Sequence, residues 1–220
     1  MHVFIDEIDA LVGDSLVSVL RQIRAGYGNR PQQFPQSIIL CGVRDVRDYR
    51  IVLSDQDIFT GGSAFNIKVK SLHLGNFSRS EVEDLFIQHT AATGQEFDPA
   101  CFPQIWGATE GQPWLVNALG YEVTMEMKEN CDRSIRIIPE MIYRAQENII
   151  YRRDTHIDIL IDKLCEERVR RVIGLILTGE EDAVPQDDVQ YVADMGLIIL
   201  DKPRRISNAI YREIIPRELA

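Results

Sequence analysis

Two acidic residues close an apolar run at the start of the chain, where His2-Val3-Phe4-Ile5 leads directly into Asp6-Glu7-Ile8-Asp9. Neighbouring carboxylates at the end of a strand can divide a task between them. The first can hold the water shell of a cation such as Mg2+, and the second can orient and deprotonate an attacking water. The plainer alternative is a strand running into a solvated helix cap, and these nine residues leave both open. Ser37-Ile38-Ile39-Leu40-Cys41-Gly42 is a second apolar run, with Arg44 just past its end in Val43-Arg44-Asp45. A guanidinium is always charged and binds phosphate oxygens with paired donors. The alternative there is a surface turn in which Arg44, Arg47 and Arg50 pair with Asp45 and Asp48, and Arg47 and Arg50 fit that role better. Gly111-Gln112-Pro113 is a third candidate, although alone it does no more than start a helix. His2, His73, His89 and His156 share no metal-ligand spacing, and Trp106 and Trp114 read as core residues.

The elements that must position these residues follow from periodicity. An apolar strand that reads hydrophobic on both faces belongs to a parallel sheet. Leu16, Val17, Val19, Leu20 and Ile23 then recur at helical spacing, with Asp14 or Ser15 as cap and Gly26 as stop. Strand, helix and the strand Ser37 to Gly42 make a βαβ unit. Arg50 to Phe65 is polar and Gly-rich and reads as a long loop, and Asn66 to Leu74 as a third strand. After Leu74 the pattern turns helical. Ser78-Arg79-Ser80-Glu81 is a capping box. Asp98-Pro99 opens a second helix, Gly111-Gln112-Pro113 a third that carries Leu119, Val123 and Met127, and Pro139 a fourth. A long helix is expected from His156 to Thr178 and another from Pro185 to Met195. A hairpin about Asp201-Lys202-Pro203 and a last helix from Ala209, limited by Pro216, complete the order. Helices followed by such a wing are the pattern of a winged-helix unit.

Composition narrows the function classes. With 220 residues, 45% hydrophobic and 26% charged, the chain has the profile of an ordinary globular protein of two or three small units. No run approaches the ~18 apolar residues of a membrane span, and Met1 to Asp9 has no basic n-region of a secretory signal. Cys41, Cys101, Cys131 and Cys165 stand far apart, which favours reduced thiols in a cytoplasmic protein over zinc or disulfides. The net charge of −10 argues against a general nucleic-acid binder. From Arg152 onward there are eleven Lys and Arg against fourteen Asp and Glu. DNA is therefore not the expected partner of the tail, despite Arg204 and Arg205 on its wing.

Phe4-Ile5-Asp6-Glu7-Ile8-Asp9, Gly42 to Tyr49, Gly111 to Leu119 and Tyr211 to Leu219 together resemble bacterial AAA+/STAND-type P-loop ATPases with a C-terminal winged helix. The resemblance covers nearly the whole chain. It implies an α/β protein in three parts: a partial parallel-sheet NTPase core (1–74), an all-helical lid (75–150) and a winged-helix-like unit (151–220). It further implies ATP and Mg2+ as cofactors, Asp6 as the Walker B ligand of the metal, and Glu7 as catalytic base. Arg44 becomes the sensor of the γ-phosphate, and Gly111 and Pro113 form a turn near the nucleotide base. The chain departs from the family in one respect. No Gly-x-x-x-x-Gly-Lys-Ser/Thr run exists, and Gly61-Gly62-Ser63 lacks both the lysine and the spacing. The expectation is a piece of a regulatory ATPase that begins at its Walker B strand and does not hydrolyse ATP alone. Exposed sheet surface would then favour self-association. The alternative is a non-enzymatic module that holds a partner protein through its lid and tail.

Overall fold

The computed structural model describes residues 1–11, 13–42, 51–52, 58–59, 72, 74–152, 155–180 and 184–219. They form two compact units, Met1–His73 and Leu74–Ala220.

The first unit is built on β1 (His2–Ile5), α1 (Gly13–Gly26) and β2 (Ser37–Leu40). The two strands are parallel, with Val3 opposite Ile38, Phe4 opposite Ile39 and Ile5 opposite Leu40. That direction requires a crossover, and α1 supplies it. Ile8, Leu16, Val17 and Leu20 are buried together, with Ile5 and Leu40 packed against them. The helix thus covers one face of the strand pair. On the other face Phe4 is 69% and Ile39 43% exposed. Asp14 and Ser15 fall inside the first turn of α1, so neither precedes it as a cap. Within the expected loop, Ile51–Val52 (β3) and Ile58–Phe59 (β4) pair as a short antiparallel ladder. Most of the expected third strand, residues 66–71 and 73, lies outside the described residues.

The second unit is helical, with α2 (Arg79–Thr93), α3 (Cys101–Thr109), α4 (Pro113–Tyr121), α5 (Pro139–Arg152), α6 (Thr155–Leu164), α7 (Glu167–Thr178) and α8 (Gln186–Asp194). They are followed by β5 (Ile198–Ile199), β6 (Arg205–Ile206) and α9 (Ala209–Leu219). The capping box forms: the Ser78 hydroxyl accepts from the Glu81 N–H, and the Glu81 carboxylate accepts from the Ser78 N–H at 2.7 Å. The bond from the Ser78 N–H first, and one from the Ser78 hydroxyl at 2.8 Å second, hold the Glu81 carboxyl below the usual range. Gly94 ends α2 at φ 78, where a side chain would be strained.

Several elements differ from the sequence expectation for local reasons. Asp98-Pro99 forms a turn ahead of α3, in which the Asp98 carboxylate accepts from the Ala100 N–H. The helix opened by Pro113 passes at Glu122 into a π-helical turn, Glu122–Glu126. Glu122 is buried there. Its Oε1 accepts from Asn148 at 2.8 Å, and its Oε2 has the Arg152 guanidinium at 2.8 Å as an ion pair outside hydrogen-bond directions. The wider turn thus carries a buried carboxylate that faces Asn148 and Arg152. The single helix expected over 156–178 is two, broken at Cys165-Glu166, because the Glu166 carbonyl starts α7 by accepting from Val169 and Arg170. Pro216 sits inside α9 rather than ending it. Asn208 caps that helix by accepting from the Tyr211 N–H at 2.9 Å.

One hydrophobic core runs from Val82 through Leu115, Ile149, Val172 and Ile198 to Ile215. The helices expected as lid and those expected as tail therefore share a core within one compact unit. Each fully buried aliphatic side chain of this core is worth about 1.5–3 kcal/mol. No described helix is long and apolar enough to cross a membrane.

Candidate functional site

The acidic pair stands at the carboxyl end of β1. The last ladder residue, Ile5, accepts from the Cys41 N–H at 2.8 Å, and Cys41 in turn accepts from the Ile8 N–H at 3.0 Å. Asp6 and Glu7 are the residues between these two bonds, so the sheet fixes both ends of the segment that carries them. Both are exposed. Asp6 Oδ1 accepts from the Glu7 N–H at 3.0 Å, and Glu7 takes left-handed backbone angles, φ 53 and ψ 39. In open α/β sheets ligands bind outside the carboxyl ends of the strands. The two carboxylates stand there, on a segment bent out of the strand by a conformation that L-residues avoid.

Because Leu40 is the register partner of Ile5, the chain leaves β2 on the same edge. Arg44 is outside the described residues. Among the described residues no group of three His, Cys, Asp or Glu side chains is placed to hold a metal ion. One exposed carboxylate is nonetheless a sufficient protein ligand for Mg2+ in nucleotide sites, where waters and phosphates complete the octahedron. Asp6 fits that chemistry.

The strain at Glu7 leads to a prediction. Glycine adopts these angles without penalty, so Glu7→Gly should stabilise the first unit by about 1 kcal/mol while removing the carboxylate. Urea unfolding followed by circular dichroism checks this. A lower midpoint would contradict a strained backbone at residue 7.

Gly111 and Pro113 belong to the second unit. α3 ends in two consecutive left-handed residues, Glu110 at φ 44 and Gly111 at φ 74. The Phe77 N–H donates to the Gly111 carbonyl at 2.9 Å, and Asn76 Nδ2 donates to the Glu110 carbonyl at 3.1 Å. A side chain at Gly111 would enter the space of the Phe77 carbonyl oxygen. Gln112 then caps α4, its Oε1 accepting from the Leu115 N–H at 2.6 Å, and Pro113 is the first helical residue. Pro113 is exposed, so its ring can lie against a flat group. The Arg79 guanidinium stacks 5.2 Å over the Trp106 ring, whose edge borders Gly111.

Two residues of this turn's surroundings carry no signal in sequence. Arg205 on β6 makes a two-bond fork to Glu110, Nη1 to Oε1 at 2.6 Å and Nη2 to Oε2 at 2.9 Å. That fork raises the Arg205 guanidinium above its usual range. The partners are 95 positions apart, and neither spacing nor composition links them.

A parallel strand pair with acids at its carboxyl end, followed by a helical unit, is an arrangement that solved structures of P-loop ATPase fold share. The fold is similar to that of the RuvB Holliday junction branch migration motor of Thermotoga maritima. That protein is 15% identical over 97% of this chain and 69% of its own, with a TM-score of 0.51. A point mutant of that RuvB gives 16% identity over the same shares and a TM-score of 0.51. At such identity the likeness is one of fold. No protein-family model matches the chain, and no characterised protein matches it in sequence.

Proposed function

We propose that the chain is the Walker B-to-C-terminus portion of an ATP-binding regulatory ATPase of the STAND kind, acting in the cytoplasm. The observation that carries this reading is the pair Asp6-Glu7 at the carboxyl end of a parallel strand in a AAA+ fold. In the complete protein Asp6 would hold the water shell of Mg2+, and Glu7 would orient and deprotonate the attacking water. Arg44 meets the γ-phosphate, and Gly111 and Pro113 set the turn against the base. Bound Mg·ATP supplies the phosphoryl group and most of the charge that these residues answer. The helices over 75–150 serve as a lid. α6, α7, α8 and the β5–β6 wing form a winged-helix-like tail over 151–220.

This chain alone does not hydrolyse ATP. Its sequence has no Gly-x-x-x-x-Gly-Lys-Ser/Thr run to supply a P-loop cradle and lysine for the phosphates. The exposed Phe4 and Ile39, facing each other across the strand pair, support the view that further chain covers this sheet in the complete protein. Without that cover, self-association through the same face is expected. The test is direct. The coding sequence ahead of Met1, read in frame, should encode Gly-x-x-x-x-Gly-Lys-Ser/Thr after an apolar strand, and the longer chain should hydrolyse Mg·ATP. Absence of that motif, or a longer chain without activity, overturns the reading.

A second reading, a non-enzymatic interaction module, is favoured by the continuous core of Leu74–Ala220, which needs no nucleotide to close. DNA is the less favoured partner, although the Thermotoga RuvB acts at a Holliday junction. Helix α8, which would occupy the recognition position of a winged helix, carries Asp187, Asp188 and Asp194 and no basic residue.

A further inference from the structure

We propose that the Glu110–Arg205 fork is a mechanical link that makes the β5–β6 wing follow the Gly111-Gln112-Pro113 turn. The inference deepens the nucleotide reading, because a base resting on Pro113 would then be felt at the wing.

The geometry of both ends supports a link rather than an incidental surface pair. At one end Glu110 keeps a left-handed backbone where glycine would be relaxed. Its carbonyl is held by Asn76 and the next carbonyl by the Phe77 N–H. Glu110 therefore cannot shift without disturbing the turn. Its side chain is largely covered, at 19% exposure. At the other end the wing consists of two strands of two residues each, anchored in the core by Ile198 and Ile206, with few ladder bonds of its own. Arg205 projects from its second strand, next to the buried Ile206. It reaches Glu110 with two parallel charge-assisted bonds, the arrangement that adds direction as well as strength. Arg205 Nη1 also lies 3.5 Å from the Ser207 carbonyl, and the charge of Asp201 adds to the attraction. A stiff strained turn and a short hairpin are thus joined by a directional contact. A displacement at the turn passes to the wing through it.

The experiment is hydrogen exchange by mass spectrometry on the full chain without nucleotide, with Arg205→Ala, Glu110→Gln and the double variant. Arg205→Ala should speed exchange about threefold to tenfold in the wing and also in the turn, at Phe77, Gly111 and Gln112. Glu110→Gln should do the same in both places. The double variant should exchange no faster than either single one, as expected when both remove one contact. Arg205→Lys keeps the charge, loses the fork and should fall between. It also carries the comparison if Arg205→Ala does not fold. Faster exchange confined to the wing in Arg205→Ala, or effects that simply add in the double variant, would overturn the link. No nucleotide enters the measurement, so failure of the ATP reading would appear in Mg·ATP assays and leave this result unchanged.

Discussion

Gly111→Ala should lower the stability of the Leu74–Ala220 unit by on the order of 3 kcal/mol, whereas Gly94→Ala should cost only about 1 kcal/mol. Both glycines are left-handed, at φ 74 and φ 78, so both replacements carry the same backbone penalty. They differ in what a new Cβ meets. At Gly94 there is nothing within 4 Å, while at Gly111 the methyl group would press on the Phe77 carbonyl oxygen and lie 3.0 Å from the Trp106 ring. Relief requires Phe77 to move, which breaks its N–H bond to the Gly111 carbonyl. Both tryptophans, Trp106 and Trp114, lie in this unit. Tryptophan fluorescence during urea unfolding therefore reports on it selectively. Equal shifts for the two variants would mean that Gly111 is required for its angles alone and that the contact with Phe77 is not tight.

The second large effect concerns chemistry. If the proposed longer chain with a phosphate loop is made, Glu7→Gln in it should reduce turnover by about 10²- to 10⁴-fold and leave Mg·ATP affinity nearly unchanged. The amide keeps the shape and the exposed position of Glu7 but cannot take a proton from water. Asp6→Asn should instead weaken binding in a way that excess Mg2+ partly restores, because a charged metal partner is lost. Single-turnover hydrolysis and equilibrium nucleotide binding, measured side by side, separate the two roles. Full turnover in Glu7→Gln would remove Glu7 from the base's role and return it to a strand-end cap.

The local signals of the sequence were strong where one residue type has one physical use. Apolar runs bounded by acids and by Gly42 placed β1 and β2, and Ser78 with Glu81 placed the start of α2. The same logic made Pro113 the first residue of α4. What escaped depends on partners far along the chain. The π-helical turn at Glu122 faces Asn148 and Arg152, 26 positions and more away, so helical periodicity could not show it. The break at Cys165-Glu166 falls between two helices of matching amphipathic pattern, where no glycine or proline marks the end. Glu110 adopts a left-handed conformation that its residue type disfavours, and Arg205 looked like an ordinary wing arginine. Both became meaningful only through their contact. At the acidic site, residue types and order suggested the chemistry, and the parallel register added which end of the sheet bears it.

The most direct test of the account is calorimetric titration of Mg·ATP into this chain as it stands, with Arg44→Ala beside it. Neither protein should bind detectably if, as proposed, Asp6, Glu7 and Arg44 answer a γ-phosphate only when a P-loop holds the α- and β-phosphates. Micromolar binding that Arg44→Ala weakens would contradict the account, and would place a different phosphate cradle among these 220 residues.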